Sequence, residues 1–294
     1  MTDDTRTGPR RTGPGKSPFS AVRFLADPRR AAKAVFSAAD LFLGDWPGPR
    51  ILIYHQVGSG SGRQMEVTPE AFVRHLDWLQ AHGRILGLEE ALADPDAPEA
   101  RNTYVLTFDD GYENMLQNAF PVLRERGIPF TLYLATRSID TGEPLAPGEA
   151  PLDWGQVGEM VKTGLVTLGS HTHRHLDLRP LSEAEVEEEL GTSSEMIEEY
   201  AGSVPDHFAY PKGFWASGAE EAVRRRFSTA VLGAGYPVTG FTDRHRLHRV
   251  PVQRSDGQFY FKRKMKRGMR LEERVRSRVK SYRNPPANGA DGPR

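Results

Sequence analysis

Two carboxylates directly follow a hydrophobic run in the middle of the chain. The run at 104–108, Tyr-Val-Leu-Thr-Phe, is β-branched and aromatic, which predicts a buried strand. Asp109 and Asp110 come next, and adjacent side chains on a regular strand point to opposite faces. Both reach one site only if the chain turns, which Gly111 permits because it has no Cβ. Such a pair repels unless a cation or a shared proton intervenes, so the alternatives are a metal site and a solvated Asp-Gly turn.

A second polar stretch also follows a strand-like run, Val-Thr-Leu-Gly at 166–169. His171 and His175 have the spacing i, i+4, so a helical turn would place both imidazoles on the same side. Two histidines and one carboxylate are common ligands of a catalytic metal ion that keeps a coordination position open for water. A solvent-exposed histidine cluster is the alternative for this stretch taken alone. The Asp pair at another strand end favours the metal site.

The motifs TFDDGY (107–112) and HTHRH (171–175) resemble the first two motifs of the polysaccharide deacetylase family, carbohydrate esterase family 4. The resemblance extends from about residue 51 to 253. It implies a NodB-like homology domain, a single α/β catalytic domain folded as a distorted (β/α) barrel, which removes acetyl groups from N-acetylated sugars. It also implies that Asp109 is the general base and that Asp110 binds the metal with the two histidines.

His55 follows a second predicted buried strand, 51–54. Tyr54-His55 is similar to the pair that opens the poly-N-acetylglucosamine deacetylase branch of the family. That resemblance implies that His55 lies at the active site and protonates the leaving amine, for which an imidazole is suited. A structural histidine at a strand end is the alternative. His248 stands near the position of another family histidine, but the match is poor and assigns no role to it.

The stretch 207–215 resembles the third family motif. The family usually carries an Arg two residues before the proline, where this chain has Ala209, and that Arg normally orients the base. The positioning of Asp109 is therefore in question. The backbone N–H of Lys212 still fits the family's oxyanion-stabilising donor, since a main-chain donor tolerates any side chain except proline.

Aromatic side chains complete the set of substrate-binding candidates. Tyr210 and Trp215 would stack on a sugar ring, and core packing is the competing interpretation. The resemblance places Trp154 at the sugar site, although Asp153-Trp154 also fits the start of a helix over 156–163 with Asp153 as its cap. The substrate-binding candidates are Tyr210, Pro211, Lys212, Trp154 and Trp215.

Composition limits the class of protein. The 294 residues include 38% hydrophobic ones, enough for one large domain with polar tails. The chain has no cysteine, which excludes disulfides, thiolate metal sites and a cysteine nucleophile. Lys and Arg number 39 and Asp and Glu number 39, so the net charge is zero and implies no general attraction to nucleic acid.

The tails differ from the central domain, with predicted boundaries of 1–48, 49–258 and 259–294. The first combines a disordered leader with an amphipathic helix over about 30–43, which packs on the domain or lies on a membrane surface. Residues 262–283 hold eleven basic and two acidic residues. They predict a solvated helix with a disordered end or a polybasic segment at an anionic membrane, and no nucleic-acid motif accompanies them. No signal peptide is visible, so we expect a cytoplasmic protein or one on the inner membrane face.

Together, the motifs and the resemblance predict a metal-dependent enzyme that hydrolyses the N-acetyl amide of a sugar. The expected sugar is part of a polysaccharide or of a lipid-linked glycan intermediate. Zn²⁺ is the expected ion, and Co²⁺ and Ni²⁺ suit the same ligands. One alternative is an O-acetyl esterase or other small-amide hydrolase on the same scaffold. Another is a catalytically silent, membrane-attached scaffold in glycan synthesis, which the missing Arg and the basic tail suggest.

Overall fold

All strand pairings in the computed structural model are parallel within the residues it describes, which are 46–233, 235–267, 272 and 275. The strands are β1 (Arg50–Tyr54), β2 (Gln56–Val57), β3 (Glu66–Val67), β4 (Arg84–Ile85), β5 (Thr103–Phe108), β6 (Phe130–Leu134), β7 (Val166–Ser170), β8 (His207–Ala209), β9 (Thr229–Leu232) and β10 (Leu247–Pro251).

Seven of these strands close into a barrel in the order β1-β10-β9-β8-β7-β6-β5, and β5 pairs back onto β1. The closing pair runs from Arg50 opposite Tyr104 to Tyr54 opposite Phe108. β4 pairs only with the first residues of β5, while β2 and β3 form a separate two-stranded sheet. The predicted distorted (β/α) barrel is confirmed.

Helices cover the outside of the barrel, and most lie between consecutive strands, as parallel pairing requires. The α-helices are α1 (Pro69–His82), α2 (Leu88–Leu92), α3 (Phe120–Glu125), α4 (Thr136–Thr141), α5 (Trp154–Val161), α6 (Glu183–Ala201), α7 (Glu220–Arg226) and α8 (Gly257–Arg267). The helical segment that precedes β6 is not uniform. It starts as a π-helical turn, Met115–Ala119, and becomes α-helical only at Phe120, where Pro121 cannot donate a backbone hydrogen bond.

Side chains alternate between the barrel interior and the surrounding helices, as a pleated strand dictates. On β1, Ile51 belongs to the interior cluster, whereas Leu52 and Tyr54 pack outward with α1. Leu88 and Leu92 of α2 join the interior cluster. The Glu89 carboxylate of the same helix lies 3.8 Å from the Nδ1 atom of His207, the first residue of β8. Helix α2 therefore closes the barrel at the amino ends of the strands and leaves the carboxyl ends for the site.

The predicted leader and amphipathic helix lie outside the described residues, as does most of the basic tail after residue 267. Helix α8, the described part of that tail, starts at Gly257 rather than at the predicted boundary of 259. The Gly- and Ser-rich stretch 56–66 begins and ends in the paired strands β2 and β3.

A buried ion pair attaches α8 to the barrel. Lys264 and Asp256 have fully buried side chains, and the Lys264 Nζ lies 2.9 Å from a carboxylate oxygen of Asp256. The same Nζ donates to the carbonyl of Pro251 over 2.9 Å, and Asp256 accepts the backbone N–H of Gln253 over 2.7 Å. Pro251 is the last residue of β10, so α8 holds the carboxyl end of that strand in place.

We expect Lys264→Ala to lower the free energy of unfolding by about 3–5 kcal/mol, because it leaves the Asp256 carboxylate buried without its cation. Urea denaturation measures the loss. Lys262→Ala is the matched control, since Lys262 is exposed on the same helix and such changes cost roughly 0.5 kcal/mol or less. Equal losses in the two variants would contradict the role given to the pair.

Candidate active site

The residues predicted to carry the chemistry all follow the carboxyl ends of barrel strands. His55 follows β1, Asp109 follows β5, His171 follows β7 and the Pro211 segment follows β8 after one residue. Because all these strands are parallel, their carboxyl ends meet at the same edge of the barrel. Active sites of (β/α) barrels lie at this edge.

Three side chains meet there in a geometry that fits a metal ion. Asp110 Oδ1 lies 3.5 Å from the Nε2 atom of His171 and 3.5 Å from that of His175. This oxygen is buried and has no hydrogen-bond partner in the described part of the chain, which is costly unless a cation is present. One carboxylate and two imidazoles suit Zn²⁺, Co²⁺ or Ni²⁺. The structure thus brings together the three residues predicted as ligands.

The state of His171 is suited to ligation. Its Nδ1 donates to the backbone carbonyl of Ala209 over 2.7 Å, which leaves the lone pair of Nε2 facing Asp110. Burial lowers the pKa of His171 to about 4, and the opposing effect of Asp109 only partly offsets it. The imidazole is therefore neutral near pH 7, as metal binding requires.

A loop with strained backbone, rather than a helix, positions the candidate ligands. The prediction that His171 and His175 share a helical turn is wrong, because the segment is a loop. Four non-glycine residues have positive φ among those described, and all belong to the site's motifs: Asp110, Thr172, His175 and Lys212. The Thr172 hydroxyl accepts the backbone N–H of His175 over 3.0 Å and so stabilises the turn. Strained backbone of this kind clusters at functional sites.

Tyr112, which the sequence did not single out, lies beside the candidate ligand Asp110. It is buried. Burial and, to a smaller degree, the neighbouring Asp110 carboxylate raise the pKa of Tyr112, so its hydroxyl stays protonated and is suited to donate to that carboxylate. A donor in this place would orient the carboxylate.

The base candidate is held by an arginine that motif comparison does not reveal. Arg249 lies on β10, in the barrel interior, and is 1% exposed. Its Nη1 donates to Asp109 Oδ1 over 2.6 Å and its Nη2 to Oδ2 over 2.7 Å. Nη1 also donates to the hydroxyl of Thr107 over 2.9 Å. A guanidinium thus orients Asp109 even though the third motif has Ala209 in the usual Arg position.

This ion pair sets the charge of Asp109. Burial by itself would raise the pKa of the carboxyl, but Arg249 and, to a smaller degree, His171 outweigh it and hold the pKa well below its usual range. Asp109 therefore stays ionised. Its Oδ2 lies 4.0 Å from Nε2 of His171, beside the group formed by Asp110, His171 and His175.

Comparisons with known proteins agree with this geometry. The model of the polysaccharide deacetylase family matches residues 96–227. YxkH of Bacillus subtilis, whose name assigns it to the polysaccharide deacetylases, is 28% identical over 209 residues, which are 69% of this chain and 70% of that protein. Residues 96–227 thus match the polysaccharide deacetylase family, and the relatives indicate a deacetylase, a hydrolase, as the two motifs predicted.

Three further proteins resemble the chain in sequence or in fold. The poly-beta-1,6-N-acetyl-D-glucosamine N-deacetylase of Staphylococcus epidermidis is 33% identical over 118 residues, 40% of each chain. The solved structure of IcaB from Ammonifex degensii superposes with a TM-score of 0.62 at 25% identity and covers 76% of this chain and 96% of that one. BC0361 of Bacillus cereus shares the fold, with a TM-score of 0.64 at 23% identity over 74% of this chain and 69% of that one.

His55 faces the cleft of the deacetylase. It lines a cavity of about 200 Å³ together with Tyr112, which lies beside Asp110. Its Nδ1 is buried and has no hydrogen-bond partner among the described residues. The side chain is also close enough to Asp109 to lower the pKa of that carboxyl.

The aromatic candidates for substrate binding pack against other side chains of the protein. Tyr210 is fully buried, with its ring centroid 5.0 Å from that of Phe208, which favours core packing over sugar stacking. Trp215 is half-buried and packs under the Arg246 guanidinium. Trp154 stacks on Tyr200 at 5.1 Å, and Asp153 caps α5 as predicted. Of the neighbouring candidates, Pro211 is buried and Lys212 is exposed.

We expect Asp109→Asn to lower the free energy of unfolding of the metal-free deacetylase by about 3–5 kcal/mol, because it leaves Arg249 buried without its counter-charge. Urea denaturation in the presence of a chelator measures the change. Asp110→Asn is the matched control, since it removes the same charge from the adjacent carboxylate, which has no salt bridge to an arginine among the described residues.

For Asp110→Asn we expect a change within about 0.5 kcal/mol of the parent, or a gain in stability. Equal destabilisation by the two substitutions would contradict the assignment of Arg249 as the specific partner of Asp109. The activity of Asp109→Asn should be referred to its folded fraction, because lost stability would otherwise be counted as lost catalysis.

Proposed function

We propose that this deacetylase hydrolyses the N-acetyl amide of N-acetylglucosamine units in a glycan and depends on a divalent metal ion, Zn²⁺ in the first place. The observation that carries the proposal is the group formed by Asp110, His171 and His175, with 3.5 Å between the Asp110 oxygen and each imidazole nitrogen, beside the ionised Asp109. The name of the staphylococcal relative supports the sugar.

The ligands would hold the ion through Asp110 Oδ1 and the two Nε2 atoms. A bound ion there supplies polarisation of the acetyl carbonyl and a lower pKa for the attacking water. Asp109, fixed by Arg249, accepts the proton of that water as its oxygen bonds to the acetyl carbon. Because Arg249 keeps the proton affinity of Asp109 low, this carboxylate orients the water more than it retains the proton.

Two further groups serve the later steps. The backbone N–H of Lys212 stabilises the developing oxyanion, and it belongs to the turn directly after Ala209, whose carbonyl holds His171. His55 donates a proton to the nitrogen as the carbon–nitrogen bond breaks, which releases the free amine and acetate. The proton taken up by Asp109 is returned through solvent and restores the protonated state of His55.

Two competing functions are a catalytically silent scaffold and an O-acetyl esterase, and the structure bears on the first of them. The silent scaffold was suggested by the missing Arg of the third motif, and Arg249 removes that reason because it supplies a bidentate guanidinium to Asp109. An O-acetyl esterase would use the same residues. Only the leaving group distinguishes it, since an alkoxide needs less help from a proton donor than an amine does.

We expect the purified protein, stripped with a chelator, to release acetate from N-acetylglucosamine oligomers only after Zn²⁺, Co²⁺ or Ni²⁺ is restored. His55→Asn should reduce kcat by about 10²- to 10⁴-fold, because it removes the proton donor. It should also retain the stoichiometric metal content of the parent, measured by metal analysis. His82→Asn, on α1 and hydrogen-bonded to Trp78, is the control and should keep the parental rate.

Two outcomes would sink the proposal. The first is acetate release that a chelator does not affect. The second is a metal-loaded protein that is inactive on N-acetylated oligomers but cleaves O-acetyl esters. If His55→Asn retains the parental rate, the general acid is another group and only the role of His55 is wrong.

We further propose that α8 and the basic residues after it attach the deacetylase to an anionic membrane, where a lipid-linked glycan would be within reach. Lys262 and Lys266 are exposed on α8, and Phe259 beside them is 63% exposed. An exposed aromatic ring among lysines is typical of helices that bind a membrane surface. Lys264 does not contribute, because it is buried. Across the described residues, no helix combines the length and apolarity needed to span a bilayer.

We expect the protein to co-sediment with vesicles of phosphatidylcholine and phosphatidylserine but not with pure phosphatidylcholine, and to dissociate at high salt. Replacing Lys262 and Lys266 with Gln should weaken binding by about 30-fold, since each basic group near the surface contributes about 1 kcal/mol. Lys162→Gln, an exposed position at the carboxyl end of α5, should have no effect. The attachment would be contradicted if the parent bound both vesicle types equally. It would also be contradicted if the double variant bound as tightly as the parent.

A further inference from the structure

One basic side chain of the cleft has no function in the reaction described above. The cavity next to His55 and Tyr112 has a volume of about 200 Å³, smaller than the roughly 300–1,000 Å³ of pockets for drug-sized ligands. It therefore fits one ring or one substituent beside the reacting group. Arg63 is the charged residue of its lining apart from the histidine, and none of the lining residues is acidic; they are His55, Gln56, Arg63, Gln64, Met65 and Tyr112.

The segment that carries Arg63 is preorganised. The buried carboxylate of Glu66 accepts the backbone N–H of Gly60 over 2.6 Å and that of Gly62 over 2.7 Å. It also accepts the Ser61 hydroxyl over 3.1 Å. These bonds, with burial opposing them, lower the pKa of Glu66 and keep it ionised. The loop is thus folded around an internal anion, and the side chain of Arg63 starts from a fixed backbone.

The charge of Arg63 is not neutralised within the described part of the chain. Arg63 forms no salt bridge with any described residue, and its Nη2 donates to the carbonyl of Pro147 over 3.4 Å, a long contact. Its neighbour Arg254, by contrast, lies 3.4 Å from the Glu66 carboxylate. The two catalytic-site carboxylates are also engaged, Asp109 with Arg249 and Asp110 with the histidines. The Arg63 guanidinium therefore faces the cavity, and no acidic residue in the described part of the chain forms a salt bridge with it.

We infer that Arg63 makes the deacetylase selective for N-acetylated glycans that carry a phosphate or a carboxylate next to the reacting sugar. A guanidinium offers a planar set of donors that matches either anion in a bidentate contact. The contact to Pro147 leaves most of these donors available to a ligand. This inference rests on the proposed function, because it assigns the substrate class of the same site.

Acetate release should be compared on three substrates with Zn²⁺-loaded protein. They are an N-acetylglucosamine tetramer, the same tetramer with a phosphate on one sugar, and a tetramer in which one residue is replaced by a uronic acid. The parent should prefer at least one anionic substrate, and the preference should shrink at high salt. The two anionic arms distinguish a phosphate from a carboxylate as the recognised group.

We expect Arg63→Gln to lower kcat/KM on the preferred anionic substrate by about 10- to 100-fold, mainly through KM, because a hydrogen bond to a charged group is lost. Its rate on the neutral tetramer should remain that of the parent. Arg63→Lys should restore part of the preference, since it keeps the charge without the planar donors. Arg225→Gln, an exposed arginine on α7 outside the cavity lining, is the matched control and should leave all three rates unchanged.

A parent that cleaves the neutral and anionic tetramers equally well would overturn the inference and leave the proposed function intact. The same holds if Arg63→Gln lowers all three rates equally, which would indicate a structural role. A parent that releases no acetate from any of the three substrates would overturn the proposed function and this inference together.

Discussion

The site depends on the ion pair between Arg249 and Asp109, which lies within the barrel. Both side chains are almost completely buried, so each charge is tolerated only because the other is present. Burial alone would raise the pKa of Asp109 and favour its neutral form, which cannot act as a base. The guanidinium reverses this effect. The barrel interior thereby holds an ionised carboxylate at the end where the candidate metal ligands meet.

The pair also links elements that the fold must keep in register. Arg249 belongs to β10 and Asp109 follows β5, and β1 lies between these two strands and pairs with both. Thr107 joins the network, since it accepts a bond from Arg249 and donates to the carbonyl of Leu52. A shift of one residue between any of these strands would turn the polar groups away from one another. The position of Asp109 at the carboxyl edge of the barrel therefore depends on the register of these strands.

The barrel could be predicted from the sequence through the family resemblance that its two motifs carry. The meeting of Asp110, His171 and His175 could be predicted because these residues follow hydrophobic runs, and parallel strands bring the ends of such runs together. The route by which His175 reaches the site was not predictable, because spacing suggested a helix and the chain instead uses positive φ at Thr172 and His175. Nor did composition show that Tyr210 is buried, since an aromatic residue beside a motif fits the core and a sugar platform equally well.

Arg249 shows why a motif that lacks a residue is weak evidence for lost activity. The guanidinium that orients Asp109 needs only to occupy the right position in space, and 140 residues separate Arg249 from Asp109 in the chain. Local comparison of the third motif finds Ala209 and stops there. A signal did exist, because an arginine in the middle of the strand Leu-His-Arg-Val-Pro cannot be buried without an anionic partner. That partner must lie on the interior-facing side of a strand close to β10, and at the end of β5, which β1 separates from β10, the residue in this place is Asp109.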